Sequence, residues 1–439
     1  MRRGFIFDMN RCVGCQACVI ACQIENHAVQ SEPWRAVNTF NSFQHPHLPF
    51  FYFSLACNHC EVPLCLENCP ASAYTVDEIT HTIDHHADRC IGCRYCTWAC
   101  PYDAPKYIRA AGVVEKCTLC KERVIDGRKP NCANLCPTGA LDFGEIDESE
   151  ALNVPGFVDK GLRPGIRIIP LRDKRFPRVK PEPLSDREMN VYRELERPKQ
   201  SKVTLSEEWP LVVFTIVASL LVGIFAASVA RPLSIDPIAF LATGVAGMLL
   251  SAIHLGRKSR AWRAVLNIGS SWLSREIAAY GLFLATSGFS FFTVHEEWLR
   301  LVTVLAGLGS LISIDMVYAV SENRSGPGLC SASTLLTGLL FFALFSNLTW
   351  LFILISGIKL AWYSKEFIQA EYRTPARISV SAVRIIVGFL LPALLMEREG
   401  LFAGMAVLIA ELINRSEFYS DLKILTPRKQ IERDLLEGI

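Results

Sequence analysis

The sequence of 439 residues lacks several features that would assign it to a common class. Its net charge is only +2, so no excess of basic residues indicates a nucleic-acid partner. The amino terminus, MRRGFIFDMNRC, has no apolar stretch long enough for the core of an export signal and no small-residue cleavage site. We therefore expect a reducing compartment, where clustered thiols bind metal more often than they form disulfides.

Cysteine is nearly absent from one part of the chain, and histidine is scarce there too. Sixteen of the seventeen cysteines lie between Cys12 and Cys136, whereas nearly all the long apolar runs follow Leu211. The apolar part contains only His254 and His295, which the topology given below puts at opposite membrane faces, so we expect no haem. This division predicts two domains of different physical class.

The sixteen cysteines form four groups. Groups one and three read C-x2-C-x2-C-x3-C, whereas groups two and four each widen one gap. Three thiolates with this spacing can surround one 4Fe-4S cluster, and the fourth, commonly followed by proline, ligates the other cluster of a two-cluster ferredoxin. Zinc also uses C-x2-C pairs but rarely the triple run, so four 4Fe-4S clusters are predicted. The groups are Cys12, Cys15, Cys18 and Cys22; Cys57, Cys60, Cys65 and Cys69; Cys90, Cys93, Cys96 and Cys100; and Cys117, Cys120, Cys132 and Cys136.

These segments resemble a known family. CNHCEVPLCLENCP, RCIGCRYCTWACPYDAPKY and KCTLCKERVIDGRKPNCANLCPTGAL, followed by DFGEIDE, are similar to the four-cluster electron-transfer subunit of the dimethyl sulfoxide reductase family of molybdopterin enzymes. In that family the outer groups pair with each other, and so do the inner groups. The resemblance implies a Cys12 set (Cys12, Cys15, Cys18, Cys136), a Cys22 set (Cys22, Cys117, Cys120, Cys132), a Cys57 set (Cys57, Cys60, Cys65, Cys100) and a Cys69 set (Cys69, Cys90, Cys93, Cys96).

The resemblance also implies an order of the sets. The Cys12 set would lie nearest the catalytic subunit, the Cys22 set nearest the membrane, and the other two sets between them. Basic residues beside the ligands would raise the potential of a reduced cluster, or they are ordinary surface charges, and the sequence leaves both readings open. These residues are Arg89, Arg94, Lys116 and Lys121.

Two further regions follow the cysteine domain, which we assign to residues 1–150. Residues 151–209 are rich in proline and charge and predict an extended linker. Residues 210–439 contain apolar segments of the length that spans a bilayer, about 20 residues each. Eight spans are predicted, near 210–230, 236–256, 276–294, 299–320, 332–346, 348–364, 378–396 and 401–416.

The number of spans depends on one short segment and on the loops. The fifth and sixth spans share a stretch that suffices for two only if Asn347 makes a tight turn. With eight spans, basic residues of the short loops concentrate on the side of the cysteine domain, whereas seven would invert the pattern after the fifth. We therefore predict eight spans and a cysteine domain that faces the cytosol of a bacterial or archaeal cytoplasmic membrane.

The apolar part has a family resemblance of its own. HLGRKSRAWRAVLNIGSSWLSREI, DMVYAV and ELINRSEFY resemble the eight-helix, quinol-oxidising anchor subunit of the same enzymes. The two subunits are usually separate chains, so the fusion departs from the family pattern. The predicted fold is an α+β double bacterial-ferredoxin-like domain followed by an all-α bundle of eight transmembrane helices.

Ionisable residues inside apolar spans are costly and suggest a functional site. Six of them are candidates for a quinone site, whereas pairing of Arg384 with Glu411 or of Arg275 with Asp315 would be a purely structural alternative. Lys359 is long enough to reach the membrane interface with its charged end. The candidates are His254, Arg275, Glu276, Asp315, Arg384 and Glu411.

The resemblance implies a function in anaerobic respiration. The anchor would oxidise menaquinol, or ubiquinol, and electrons would pass to a separate molybdopterin or tungstopterin subunit that reduces a sulfoxide or a sulfur oxyanion. Two alternatives stay open. Sulfite or formate dehydrogenases send electrons from similar modules into quinone, and the chain could also work alone as a ferredoxin:quinone oxidoreductase.

Overall fold

The computed structural model describes residues 2–26, 33–40, 50–146, 154, 157, 159, 161–172, 203–292, 296–321, 330–369, 375–396, 400–422, 424, 426, 427 and 430. His295 and most of the predicted linker lie outside these residues. The chain divides into two compact units, one formed by Met1–Ser201 with Ile424–Ile439 and the other by Lys202–Lys423.

The first unit is built from short strands and short helices, as an α+β domain. Its strands are β1 (Arg2–Asp8), β2 (Ala36–Phe40), β3 (Phe51–Leu55), β4 (Tyr74–Val76), β5 (Ile83–His85), β6 (Lys106–Ile108), β7 (Val113–Glu115), β8 (Leu141–Ile146) and β9 (Ile166–Ile169). Its helices are α1 (Ala17–Glu25), α2 (Leu64–Glu67), α3 (Tyr95–Ala99), α4 (Lys121–Ile125) and α5 (Asn131–Asn134).

The strands form one three-stranded sheet and three hairpins. β1 lies between β8, with which it is antiparallel, and β9, with which it is parallel, whereas β2-β3, β4-β5 and β6-β7 pair as hairpins. The alternation in RRGFIFD buries Phe5 and Phe7 on one face of β1. Their rings contact Phe143 and Phe53, with centroids 5.8 and 5.1 Å apart. These contacts form part of the core of the domain.

Strand β9 differs from the sequence prediction, because it lies in the segment expected to be an extended linker. Ile166 and Ile168 alternate with half-buried residues and enter the core of the first unit. Four residues are too few for the alternation to stand out among prolines and charges, so the strand was missed. The sheet therefore includes residues beyond 150.

The second unit is helical at each of the eight positions predicted for a span. A π-helical turn, Ile386–Leu390, joins two of the helices, and 3-10 turns follow α7. The helices are α6 (Leu205–Ala230), α7 (Pro237–Ser251), α8 (Trp272–Phe292), α9 (Glu297–Ser321), α10 (Thr334–Phe345), α11 (Thr349–Gln369), α12 (Pro375–Ile385), α13 (Leu391–Leu395) and α14 (Gly400–Asp421). Four stretches of the described residues are long and apolar enough to cross a membrane: Leu205–Ala230, Pro237–His254, Glu297–Val320 and Ile378–Leu395.

Asn347 makes the tight turn that two helices in this stretch require. Its φ of 57° is left-handed, a conformation that asparagine tolerates better than most residues. The backbone N–H of Asn347 donates to Leu344, and that of Leu348 donates to Ala343, at 3.1 and 2.9 Å. α10 and α11 are therefore separate helices.

The second unit exposes large apolar side chains and buries several charged ones, unlike a water-soluble protein. Ile238, Leu394 and Leu401 are each more than 70% exposed, whereas Lys359 and Arg384 are fully buried. In water such a surface would be unfavourable, but it suits hydrocarbon, where polar groups must be satisfied within the protein.

Candidate functional sites

The four cysteine groups share one backbone conformation. In every group the residue two positions after the first cysteine has a positive φ, and three groups have a second positive φ three positions after the last cysteine. Such turns bring successive cysteines to one side of the chain. The first positions are Gly14, His59, Gly92 and Leu119, with φ of 69°, 43°, 71° and 61°, and the second are Ser72, Asp103 and Gly139, with φ of 49°, 55° and 61°.

Group one differs from the others after its last cysteine. Proline follows Cys69, Cys100 and Cys136, whereas Gln23 follows Cys22. Proline ends the local helix in the three other groups, but Gln23 lets α1 continue to Glu25. The missing proline therefore changes the turn and leaves Cys22 buried within the helix.

The thiols of the two inner sets each line one cavity. One cavity is lined by Lys116 and by the thiols of Cys57, Cys60, Cys65 and Cys100. The second cavity contains the other inner set together with Tyr74 and His85. Its thiols are those of Cys69, Cys90, Cys93 and Cys96.

The thiols of the two outer sets also lie beside one another. Cys12 interacts electrostatically with Cys18, Cys136 and Cys15. Cys22 interacts in the same way with Cys132 and Cys120 of its own set. Together with the two cavities, these interactions bring together the members of each set that the resemblance implied.

The structure corrects the order of the sets. The Cys22 set interacts electrostatically with the Cys12 set through Cys132 and Cys18, and its Cys117 packs in one buried cluster with Cys57 of the Cys57 set. Tyr74 lies between the remaining two sets, where it interacts with Cys65 and Cys96. The Cys22 set therefore cannot be the end of the line that we expected it to be. The sets follow one another in the order Cys12 set, Cys22 set, Cys57 set and Cys69 set.

The donor groups around the thiols fit an iron–sulfur cluster. All the cysteines are free, without a disulfide. Backbone N–H groups of Ala73, Leu119 and Leu141 donate to the sulfurs of Cys69, Cys117 and Cys136 at 3.3, 3.3 and 3.4 Å. Hydrogen bonds to sulfur are among the features that set cluster potentials.

Burial opposes ionisation of most thiols. Burial, and after it the neighbouring thiol of Cys132, raise the pKa of Cys22 to about 12. At Cys136 burial also raises the pKa, but N–H groups such as that of Leu141 outweigh it, so the pKa lies below its usual value. Thiolates at such buried positions need a nearby positive charge, which iron would supply.

The basic residues near the ligands occupy different environments. Lys116 is buried, and its ammonium donates to the carbonyls of Ile83 and Cys117. Lys121 is partly exposed and pairs with Asp77 and Asp84 at 2.6 and 2.7 Å. The guanidinium of Arg94 lies over a tyrosine ring, and Arg89 is half-buried. Lys116 therefore has the placement needed to affect a cluster, whereas Lys121 forms a surface ion pair.

In the helical unit, Asp315 caps a helix. Its carboxylate accepts hydrogen bonds from the hydroxyl of Ser333 at 2.6 Å and from the backbone and hydroxyl of Thr334, both at 2.8 Å. The N–H of Leu335 donates as well, at 3.2 Å. An ionised carboxylate at a helix N-terminus satisfies the free N–H groups there. Asp315 thus fixes the start of α10 rather than pairing with Arg275.

Glu411 and Lys359 form a buried ion pair. Lys359 Nζ lies 3.0 Å from Glu411 Oε2, and both groups contact the hydroxyl of Thr337 at 2.9 Å. The prediction that Lys359 reaches the membrane interface is wrong, because its side chain is fully buried. Arg384 also differs from the expected pairing with Glu411. It lies over the ring of Tyr363 and 4.0 Å from Glu417.

Glu276 lies in a second polar cluster with a residue that the sequence interpretation did not single out. It is 6% exposed, has no hydrogen-bond partner among the described residues, and interacts with Arg415 and Asp315. Arg415 donates to a backbone carbonyl at 2.8 Å and lies over the rings of Tyr318 and Tyr419. A carboxylate in this position can accept a proton from a ligand hydroxyl.

His254 and Arg275 have local contacts instead. The ring Nδ1–H of His254 donates to the carbonyl of Ser251, which leaves Nε2 as the acceptor of the neutral ring. Arg275 donates to the carbonyls of Ile268 and Gly269 at 2.9 and 2.5 Å and stabilises the turn before α8. These contacts are with nearby backbone carbonyls rather than with the clusters of Glu276 and Glu411.

A helical pattern could have revealed Arg415. Polar side chains recur three and four residues apart on one face of the apolar α14, the spacing of a stripe facing the other helices. This stripe runs through the motif ELINRSEFY. It consists of Glu411, Asn414, Arg415 and Tyr419.

Comparisons with known proteins agree with this division. Residues 48–146 match the 4Fe-4S dicluster domain family, and residues 204–342 match the family of the DMSO reductase anchor subunit (DmsC). The B chain of the anaerobic dimethyl sulfoxide reductase of Escherichia coli (strain K12) is 40% identical over 153 residues, which are 33% of this chain and 74% of that protein. The B subunit of the sulfite dehydrogenase of Allochromatium vinosum is 32% identical over 214 residues, 42% of this chain and 88% of that protein. Thiosulfate reductase electron transfer subunit PhsB of Salmonella typhi is 36% identical over 155 residues, 33% and 77% of the two chains.

Adjoining thiol sets in a ferredoxin-like domain, joined in one chain to an apolar helical domain, define an iron–sulfur electron-transfer protein with a membrane anchor. This protein belongs to the electron-transfer subunits of the dimethyl sulfoxide reductase family, with the anchor fused to its carboxyl side. The family resemblance seen in the cysteine motifs and in the apolar motifs is confirmed.

Proposed function

We propose that this chain carries electrons between a membrane quinol and a separate molybdopterin or tungstopterin subunit through four 4Fe-4S clusters. The observation that carries the proposal is the unbroken line of four thiol sets, each with the number of ligands that one cluster needs. Bound clusters supply one-electron acceptors. The chain would hold them through thiolates and keep them close together.

The corrected order changes which set lies toward the membrane. The resemblance gives the Cys12 set the position nearest the catalytic subunit, and the other end of the line is then the Cys69 set. We therefore propose that electrons from quinol enter at the Cys69 set and leave at the Cys12 set. The Cys57 set and the Cys22 set transfer the electrons between these two ends.

Of the six predicted residues, Glu276 is the best candidate for the proton acceptor of a quinol site in the helical unit. Quinol oxidation releases two electrons and two protons, so each hydroxyl needs a proton acceptor. Glu276 is a buried carboxyl group without a hydrogen-bond partner in the described residues, and it lies near Arg415. The imidazole of His254 is a second group that can exchange a proton in the physiological pH range. In this proposal Asp315, Arg275, Arg384, Lys359 and Glu411 shape and stabilise the surrounding helices.

The helical unit supports a multi-pass anchor in a bacterial or archaeal cytoplasmic membrane. Besides the four most apolar stretches, α8, α11 and α14 have 21, 21 and 22 residues, enough for a hydrocarbon core about 30 Å thick. With eight spans, the basic residues of the loops favour a cysteine domain on the cytosolic side.

The direction of electron flow has two candidates. The reductase direction, from menaquinol to a sulfoxide or sulfur oxyanion, is favoured by the similarity to dimethyl sulfoxide and thiosulfate reductase subunits. The reverse direction is favoured by the similarity to a sulfite dehydrogenase subunit, which extends over more of this chain. Purification in mild detergent and identification of the large subunit that accompanies the chain will distinguish them. Absence of any such subunit would favour a ferredoxin:quinone oxidoreductase that works alone.

Two variants test the quinol site. In the detergent-purified chain, Glu276→Gln and His254→Ala should each slow quinol-driven reduction of the clusters, whereas dithionite should reduce the clusters as in the wild type. Asp236→Asn is the matched control, because this carboxylate only caps α7, where it accepts from Ile238 and Ala239 at 2.9 and 3.0 Å. Normal quinol kinetics in both variants would contradict this placement of the site.

A further inference from the structure

One buried cation lies between two thiol sets. Arg35, just before β2, is 1% exposed, and its guanidinium lies 4.6 Å from the centre of the Phe5 ring. It interacts electrostatically with Cys18 of the Cys12 set and with three thiols of the Cys22 set. These three are Cys132, Cys117 and Cys22.

The charge of Arg35 has no anionic partner among the described residues. Nη1 donates to the hydroxyl and the carbonyl of Ser54 at 3.1 and 3.5 Å, whereas Nε and Nη2 have no hydrogen-bond partner in the described part of the chain. An isolated cation in a protein interior is unfavourable unless negative charge lies nearby. The only candidates for that charge that we find on both sides of Arg35 are the thiolates and the clusters they would hold.

We propose that Arg35 raises the reduction potentials of the two clusters held by the Cys12 set and the Cys22 set. This inference rests on the proposed function, because it requires a cluster in both sets. Reduction adds one electron to an already anionic cluster, and a fixed cation nearby stabilises the added charge. Because one guanidinium interacts with thiols of both sets, both potentials depend on the same residue.

Ser54 gives Arg35 a second effect on the Cys12 set alone. The Ser54 hydroxyl accepts from Arg35, so its own hydrogen is free to point toward the sulfur of Cys18, 3.4 Å away. A hydrogen bond to a ligand sulfur also stabilises the reduced cluster. Arg35 is thus a positioning residue for one cluster and an electrostatic neighbour of both.

Redox titration of the full chain in detergent, followed by low-temperature EPR, tests the proposal. In Arg35→Gln, two of the four titrating components should need a lower potential. We expect about a tenfold loss of the reduced-to-oxidised ratio at a given potential, which is about 59 mV for a one-electron couple. The other two components should stay at the wild-type potential. Arg35→Lys should keep both potentials close to the wild-type values, because it keeps the charge.

Three further variants make the test specific. Ser54→Ala should move only one of the two components. Lys116→Gln removes the buried cation that lines the Cys57 cavity, so it should move a component that Arg35→Gln leaves unchanged. Lys121→Gln is the matched surface control and should move none.

The outcomes separate this inference from the proposed function. Wild-type chain that holds fewer than four clusters contradicts the proposed function itself. Wild-type chain with four clusters, but with unchanged potentials in Arg35→Gln, overturns only the role of Arg35. If Arg35→Gln loses iron, Ser54→Ala decides, and the role is overturned if Ser54→Ala titrates like the wild type.

Discussion

The two units of the chain both bury cations, but they compensate the charge differently. In the cysteine domain, Arg35 and Lys116 contact thiols and carbonyls, and neither pairs with a carboxylate of the described residues. In the helical unit, Lys359 pairs with Glu411, and Arg384 lies 4.0 Å from Glu417. The comparison indicates that the negative charge near Arg35 and Lys116 must come from a bound group. A cluster on thiolates is anionic and would compensate Arg35 and Lys116, whereas Lys359 and Arg384 already have a carboxylate within 4.0 Å.

The largest effect should follow from interrupting the line of thiol sets. Cys22→Ser removes a ligand of the second set, so the chain should lose about four of about sixteen irons. Electron transfer from quinol to the catalytic subunit should then fall to background, because the Cys12 set would be separated from the Cys57 set. Iron analysis measures the first effect, and quinol-driven turnover of the complex with its catalytic subunit measures the second.

Cys330→Ser is the matched control for that variant. Cys330 is the seventeenth cysteine and belongs to the helical unit, so its replacement should leave the iron content unchanged. Full iron content in Cys22→Ser would contradict the ligand assignment.

Breaking the ion pair of the helical unit should give the next largest effect. Lys359→Met leaves Glu411 as an uncompensated buried charge and should lower the free energy of unfolding by about 3–5 kcal/mol. The double variant Lys359→Met with Glu411→Leu should recover most of this loss, because it removes both charges. Thermal unfolding in detergent measures both. If the double variant were no more stable than the single one, the internal compensation of this unit would be disproved.

Loss of the helix cap at α10 should be milder. Asp315→Ala removes the acceptor of the N–H groups of Thr334 and Leu335, and we expect a loss of about 0.5–2 kcal/mol. The same unfolding experiment measures it, with cluster potentials as the control that should not change. A loss of quinol oxidation without any loss of stability would instead assign Asp315 to the quinol site.

The smallest effect should come from the surface pair of Lys121 with Asp77. Both groups are partly exposed to water, where ion pairs contribute little, so Lys121→Gln should change stability only slightly. The ammonium of Lys121 holds the pKa of Asp77 below its usual range. The contribution of the pair is therefore present above the pKa of an unfolded aspartate and is lost as the pH falls through the depressed value. Titration of stability against pH measures this, and an effect of Lys121→Gln that grows as the pH falls would contradict it.

The sequence predicted those features that local spacing determines. The cysteine spacing fixes which thiols can share a loop, and Asn347 is a residue type that can make the turn between α10 and α11. The order of the sets depends on contacts between distant segments, such as that of Cys117 with Cys57, which spacing does not encode. Arg35 stands in no motif and became visible only through its burial. Lys359 was misjudged because length alone does not show which face of a helix meets a carboxylate.

Rapid mixing of quinol with the detergent-purified chain tests the central claim most directly. The clusters whose reduction potentials lie above that of the quinol should lose their visible absorbance. Glu276→Gln should slow this loss. If dithionite reduced the clusters while menaquinol and ubiquinol both left the wild-type chain fully oxidised, the proposed path from quinol through the thiol sets would be contradicted.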